Sequence, residues 1–128
     1  MTKFVKKIRK ITLKQPRYAV SFGDCFGHLE EITDFVRTVF VLDHRDENLK
    51  KRNIVYMENF SYITTIPDVD LIFVNTDRKD RIKELQPIWR RYNSFIIVEG
   101  EPFLDKFLRS ERYQIICVEK KFHVWKIT

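Results

Sequence analysis

Residues 19–27, Ala-Val-Ser-Phe-Gly-Asp-Cys-Phe-Gly, constrain the fold more than any other stretch of this chain. A short apolar run stops at Gly23 and Gly27 follows. The spacing of Leu29, Ile32, Phe35 and Val36 then predicts a helix over 27–37. The chain has three glycines, and two of them sit in this one turn. A strand that passes through a glycine turn into a helix is a ligand-binding device. Glycine lets the backbone approach a ligand, and the helix N-terminus offers unpaired N–H groups. The dinucleotide fingerprint needs glycines at offsets zero, two and five. Here they fall at zero and four, with Cys25 at offset two.

Strand and helix patterns alternate after Pro16. Strands are predicted at 18–22, 38–42, 53–57, 69–74 and 94–98, each apolar or β-branched. Residues 44–52 read as a short helix or turn, and 61–66 are ambiguous. A helix over 78–92 carries Ile82, Leu85, Trp89 and Tyr92 on one face, with a kink or break expected at Pro87. Pro102 opens a further helix, whose apolar face is Phe103, Leu104, Phe107 and Leu108. The runs 114–118 and 122–127 are joined by Glu119-Lys-Lys121, a link long enough for a hairpin and too short for a parallel crossover. The expected fold is α/β: a doubly wound, mostly parallel sheet of about seven strands, helices on both faces, and an antiparallel C-terminal hairpin strand.

The 128 residues fit one domain, and a hydrophobic content of 44% argues against disorder. No apolar run is long enough to span a bilayer, and the basic N-terminus lacks the apolar segment of a secretory signal. Cys25 and Cys117 suggest neither a disulfide framework nor a zinc pattern, so a cytoplasmic setting is expected. The net charge of +6 is unevenly placed. Residues 1–17 hold seven Lys or Arg and no acid; the other 17 basic residues face 18 acids. Residues 1–17 therefore read as a basic N-terminal arm or element before a body at 18–128. Such an arm can attract nucleic acid or an acidic protein. The plainer reading is a solvated first element whose Phe4, Ile8 and Ile11 pack on the body.

With these motifs in place, residues 18–128 resemble the class I S-adenosylmethionine-dependent methyltransferases. That family ends a seven-stranded, mostly parallel sheet with an antiparallel strand, and its first turn carries glycines at offsets zero, two and four. Gly23 and Gly27 match the first and third, Cys25 replaces the second, and Ser21 stands where the family often has an acid. The resemblance implies S-adenosylmethionine as cofactor. Gly23, Asp24 and Gly27 would meet its methionine end, Asp43 its ribose hydroxyls, and Met57, Glu58 and Asn59 its adenine. A carboxylate with two acceptor oxygens suits a diol. Asp43 reads equally well as a strand-end residue capping the next turn.

Asp70-Leu-Ile-Phe-Val-Asn75-Thr-Asp77 resembles the fourth-strand motif of the small-molecule O-methylating branch, with Asn75 where an Asp often lies. Asn75 and Asp77 would face the methyl acceptor as catalytic residues. Asp77, Glu99 and Glu101 would gather at the same edge, but Asn75 removes a charge that Mg²⁺ favours, so no metal site is expected. The two prolines of the amino-methylating DNA signature are missing. His28, His44 and His123 show no carboxylate partner by spacing, and there is neither a serine-hydrolase elbow nor a P-loop. The sequence thus points to a methyltransferase-like protein of unspecified substrate. The alternative is a non-catalytic binding or assembly module on the same fold, with nucleic acid or protein as partner.

Overall fold

A computed structural model describes residues 2–12, 15–58, 66, 68–75, 94–98, 102–111, 113–118 and 122–127, and the side chains of all of these but 102–104 and 127. Among the described residues the order is α1 (Lys3–Thr12), β1 (Tyr18–Phe22), α2 (Leu29–Thr33), β2 (Thr38–Leu42), β3 (Ile54–Tyr56), β4 (Val69–Val74), β5 (Phe95–Val98), α3 (Pro102–Ser110), β6 (Tyr113–Val118) and β7 (His123–Ile127). The expected helix over 78–92 lies outside the described residues.

The seven strands form one sheet in the order β3-β2-β1-β4-β5-β7-β6. β1 to β5 pair in parallel, and β7 runs antiparallel to both β5 and β6. The chain winds outward from β1 through β2 to β3, then returns to β4 on the other side of β1. The reversal lies between β1 and β4, where open α/β sheets bind ligands beyond the carboxyl ends of their strands. The register runs straight across that rim: Leu42 pairs with Phe22, Phe22 with Val74, Val74 with Val98, and Val98 with His123.

Alternation along the strands sends side chains into two cores. On one face, Ala19, Val39, Val41, Leu71, Phe73 and Val124 pack against α1 and α2. On the other, Val20, Phe22, Ile72, Ile96 and Trp125 pack with Leu108 and Phe107 of α3. α1 contributes Phe4, Val5 and Ile8, all buried, with Ile11 partly buried beside them. Residues 3–12 are thus a packed helix and not a trailing arm. The Thr2 N–H donates to Glu31 Oε2 at 3.0 Å and ties this helix to α2.

The second helix is shorter than its apolar spacing suggests: Leu29–Thr33 in place of 27–37. The Arg37 N–H, which would extend it, donates instead to Pro16 O at 3.1 Å. The Asn53 side-chain amide caps the freed carbonyls of Thr33 and Val36 at 2.7 and 3.0 Å. Phe35 and Val36 are still buried, from a turn. The segment 44–52 contains turns and no helix.

Candidate functional site

Gly23, Asp43 and Asn75 follow directly on the aligned residues Phe22, Leu42 and Val74, so they stand side by side at the rim. Backbone hydrogen bonds close the row. The Gly23 N–H donates to Leu42 O at 2.9 Å, and the Asn75 N–H donates to Phe22 O at 3.0 Å.

The two glycines do different work. Gly23 has a φ of 112°, and a Cβ there would collide with the Asn75 amide oxygen and lie 3.0 Å from Asn75 Cγ. Glycine at 23 therefore leaves room for the Asn75 side chain. Gly27, with a φ of 79°, is exposed, and no described residue lies within 4 Å of where a Cβ would stand. Here the loop backbone faces open space. Between Asp24 and Gly27, Cys25 and Phe26 also take positive φ values of 54° and 58°. Such a conformation costs a non-glycine residue roughly 1–2 kcal/mol. Packing offsets it: Cys25 is fully buried, and the Phe26 ring centroid lies 5.5 Å from that of Phe4.

Cys25 thus keeps the backbone shape of a glycine while its thiol fills the core. Burial pushes that thiol up to about 12, which favours the inert, protonated form of a packing residue. Ser21 is also fully buried, and its hydroxyl donates to Gly23 O at 2.8 Å, holding the turn from inside. With five residues and no side-chain cap, α2 offers little at its N-terminus, so any ligand contact falls to the loop itself.

Asp24 is the electrostatic centre of the turn. Its Oδ1 accepts from Asn75 Nδ2 at 2.6 Å and from the Gly27 N–H at 3.1 Å. Burial works to raise its pKa, but these hydrogen bonds and the nearby His44 outweigh it and hold the carboxyl below the usual range. The other end of the same amide, Asn75 Oδ1, is buried and accepts no hydrogen bond among the described residues. A buried acceptor of this kind calls for a partner.

Asp43 is exposed, in a left-handed conformation (φ 62°) that aspartate tolerates. One strand further out, the Met57 N–H donates to Val41 O at 2.8 Å; Met57 packs partly buried on the α3 side of the sheet, and Glu58 is exposed. Gly23, Asp24, Gly27, Asp43 and Asn75 therefore converge on one rim, with Met57 and Glu58 beside them. Asn59, Asp77, Glu99 and Glu101 lie outside the described residues.

The histidines do have carboxylate partners, contrary to the reading from spacing. His28 Nδ1 lies 3.5 Å from Glu31 Oε1, and His44 is close enough to Asp24 to stabilise its charge. His123 Nδ1 lies 3.0 Å from Asp105 Oδ1, and both side chains are largely buried. The register puts His123 on the same rim, two strands and so about 10 Å from Asn75's strand. A carboxylate can only accept, so Nδ1 carries the proton and, in the neutral ring, Nε2 keeps its lone pair. No sequence signal announces this pair: 18 residues separate its members. They meet because α3 packs over β7. Among the described residues no three His, Cys, Asp or Glu side chains gather as metal ligands. No helix there is long and apolar enough to cross a membrane.

No protein-family model matches the sequence, and no curated protein matches it either. Solved structures do match. A precorrin-8w decarboxylase of Methanobacterium thermoautotrophicum superposes with a TM-score of 0.68 at 18% identity, over 99% of this chain and 90% of that one. A precorrin-6y C5,15-methyltransferase of Geobacter metallireducens gives 0.64 at 18% identity, over 93% and 86%. A candidate methyltransferase of Streptococcus mutans, in complex with SAH, gives 0.62 at 8% identity, over 98% and 97%. The chain has the fold of the class I S-adenosylmethionine-dependent methyltransferases.

Proposed function

We propose that this chain binds S-adenosylmethionine across the β1–β2 rim and transfers its methyl group to an acceptor held over β4 and β5. The observation that carries this reading is the juxtaposition of the Gly23–Gly27 turn with the Asp43 carboxylate, fixed by the Phe22–Leu42 register and the Gly23–Leu42 hydrogen bond. The structurally similar protein from Streptococcus mutans was solved with SAH, which is S-adenosylmethionine without its transferable methyl.

The residues present fit such a cofactor. The open backbone at Gly27 and the ionised carboxylate of Asp24 suit the charged methionine end, whose ammonium would pair with Asp24. Asp43, exposed at the end of β2, can accept both ribose hydroxyls. Met57 offers an apolar contact to the adenine, with Glu58 and Asn59 as polar ones. The bound cofactor would supply an activated methyl group on a sulfonium, so the protein needs mainly to align the acceptor.

Asn75 serves this by position. Its amide holds Asp24 in place, and being neutral it cannot take a proton. Where the acceptor must lose a proton, Asp77 or the Asp105-oriented His123 would take it, and His123 Nε2 has the free electron pair to do so. The test is nuclear magnetic resonance of the ¹⁵N-labelled chain. Adding S-adenosylmethionine should move the amide signals of Gly23, Gly27 and Asp43 and leave those of β6 in place. Shifts confined to β6, or none, would refute the assignment.

A further inference from the structure

The described residues form a concave feature beside α1. It is a groove of about 770 Å³ along α1, walled by Lys3, Lys6, Lys7 and Lys10 and floored by Phe4 and Phe122. From this groove we infer that α1 is a docking surface for single-stranded nucleic acid, bound through its sugar–phosphate backbone.

Three observations support this. The first is charge: the helix Lys-Phe-Val-Lys-Lys-Ile-Arg-Lys-Ile-Thr has five cations and no acid, on a chain whose remaining residues nearly balance. Lys3 sits in the first turn, against the helix dipole, and the pairs Lys3–Lys6, Lys3–Lys7, Lys6–Lys10 and Lys7–Lys10 place like charges three or four residues apart. Both arrangements weaken a helix. A polyanion in the groove would reverse the sign of each.

The second is rigidity. The Phe4 ring stacks on His28 at 4.9 Å, meets Phe122 edge-on at 4.8 Å, and lies 6.2 Å from Phe73. The cations therefore stand on a helix fixed to the body, so little ordering is lost when a ligand binds. The third is shape. From Lys3 to Lys10 the helix rises about 10 Å, roughly the axial length of three nucleotides in one strand. A row of point charges above an apolar floor matches a chain that alternates phosphate with sugar. A concave groove admits a single strand, where a duplex would touch only its edges. The groove also reaches the ligand-side rim, because Phe122 immediately precedes His123 and Phe4 packs on Phe26 of the glycine turn.

The inference does not depend on the cofactor, and neither does its test. The full chain is titrated into fluorescent oligouridine of about twelve nucleotides, with anisotropy read between about 50 and 200 mM salt. Four lysine–phosphate contacts predict a slope of log affinity against log salt of about −3. The variant Lys3→Gln/Lys6→Gln/Lys10→Gln should lose roughly tenfold or more in affinity and about two units of that slope. The charge-matched variant Lys50→Gln/Arg52→Gln/Lys106→Gln, outside the groove, should change affinity less than about twofold. Circular dichroism melts confirm that both variants fold. Equal losses in the two variants would overturn the assignment. So would displacement of the RNA by polyglutamate of equal charge, which would mark the surface as one for acidic proteins, or tighter binding of a duplex of the same length.

Discussion

The two halves of the rim at the carboxyl ends of the parallel strands are built by different means. Over β1, β2 and β4 the groups are placed by backbone: Gly23 on Leu42, Asn75 on Phe22, Gly27 on Asp24. Positive φ values at Cys25, Phe26, Gly27 and Asp43 shape the loops between them. Over β5 and β7 the described residues include a side-chain pair, His123 with Asp105, placed by the packing of α3 on the sheet. A rim half made of main chain ties the shape of its loops to fold stability. A half made of side chains can change without disturbing its neighbours.

The largest effect that would test this contrast is Gly23→Ala. A φ of 112° and the approach of Asn75 leave no room for a methyl group, so the variant should lose about 3 kcal/mol in urea denaturation. Stability equal to wild type would show that the close packing at Gly23 is not what builds this half. Making the same change in an Asn75→Ala background should cost less, since the colliding amide is gone; strict additivity would break the argument.

Next comes Asn75→Ala by itself. It removes a hydrogen bond that holds Asp24 ionised, so the Asp24 pKa should rise towards its ordinary value, as read by carboxyl NMR. The sign for stability follows. Asp24's folded pKa is depressed, so its contribution is full above the unfolded pKa and fades as pH falls through the folded one. The variant's stability should therefore fall less steeply in acid than that of wild type. A smaller effect belongs to the other half. Asp105→Asn should cost about 1 kcal/mol and leave the amide signals of Gly23 and Gly27 unchanged. Movement of those signals would mean the halves are coupled.

How much the sequence revealed divides along the same line. β1, β2 and β4 begin and end where their apolar runs do, because glycine at 23, aspartate at 43 and asparagine at 75 close them off. Parallel order then brings those three residues together without any side-chain detail. The apolar spacing overstates α2 because Phe35 and Val36 keep the helical spacing and are buried, while the Arg37 N–H is claimed by Pro16. That competition is tertiary and leaves no local trace. His123–Asp105 was invisible for the same reason. α1 shows an intermediate case: the apolar stripe Phe4, Ile8, Ile11 is legible, but the groove beside it needs Phe122 from the far end of the chain.

The central claim is that the glycine turn and Asp43 border one nucleoside-sized site. Calorimetric titration of S-adenosylmethionine into the wild-type chain and into Asp43→Ala tests it most directly. One equivalent should bind the wild type, and loss of the exposed carboxylate should weaken binding at least about tenfold, the worth of a hydrogen bond to a charged group. No heat with the wild type, or equal affinity in the two proteins, would contradict the account.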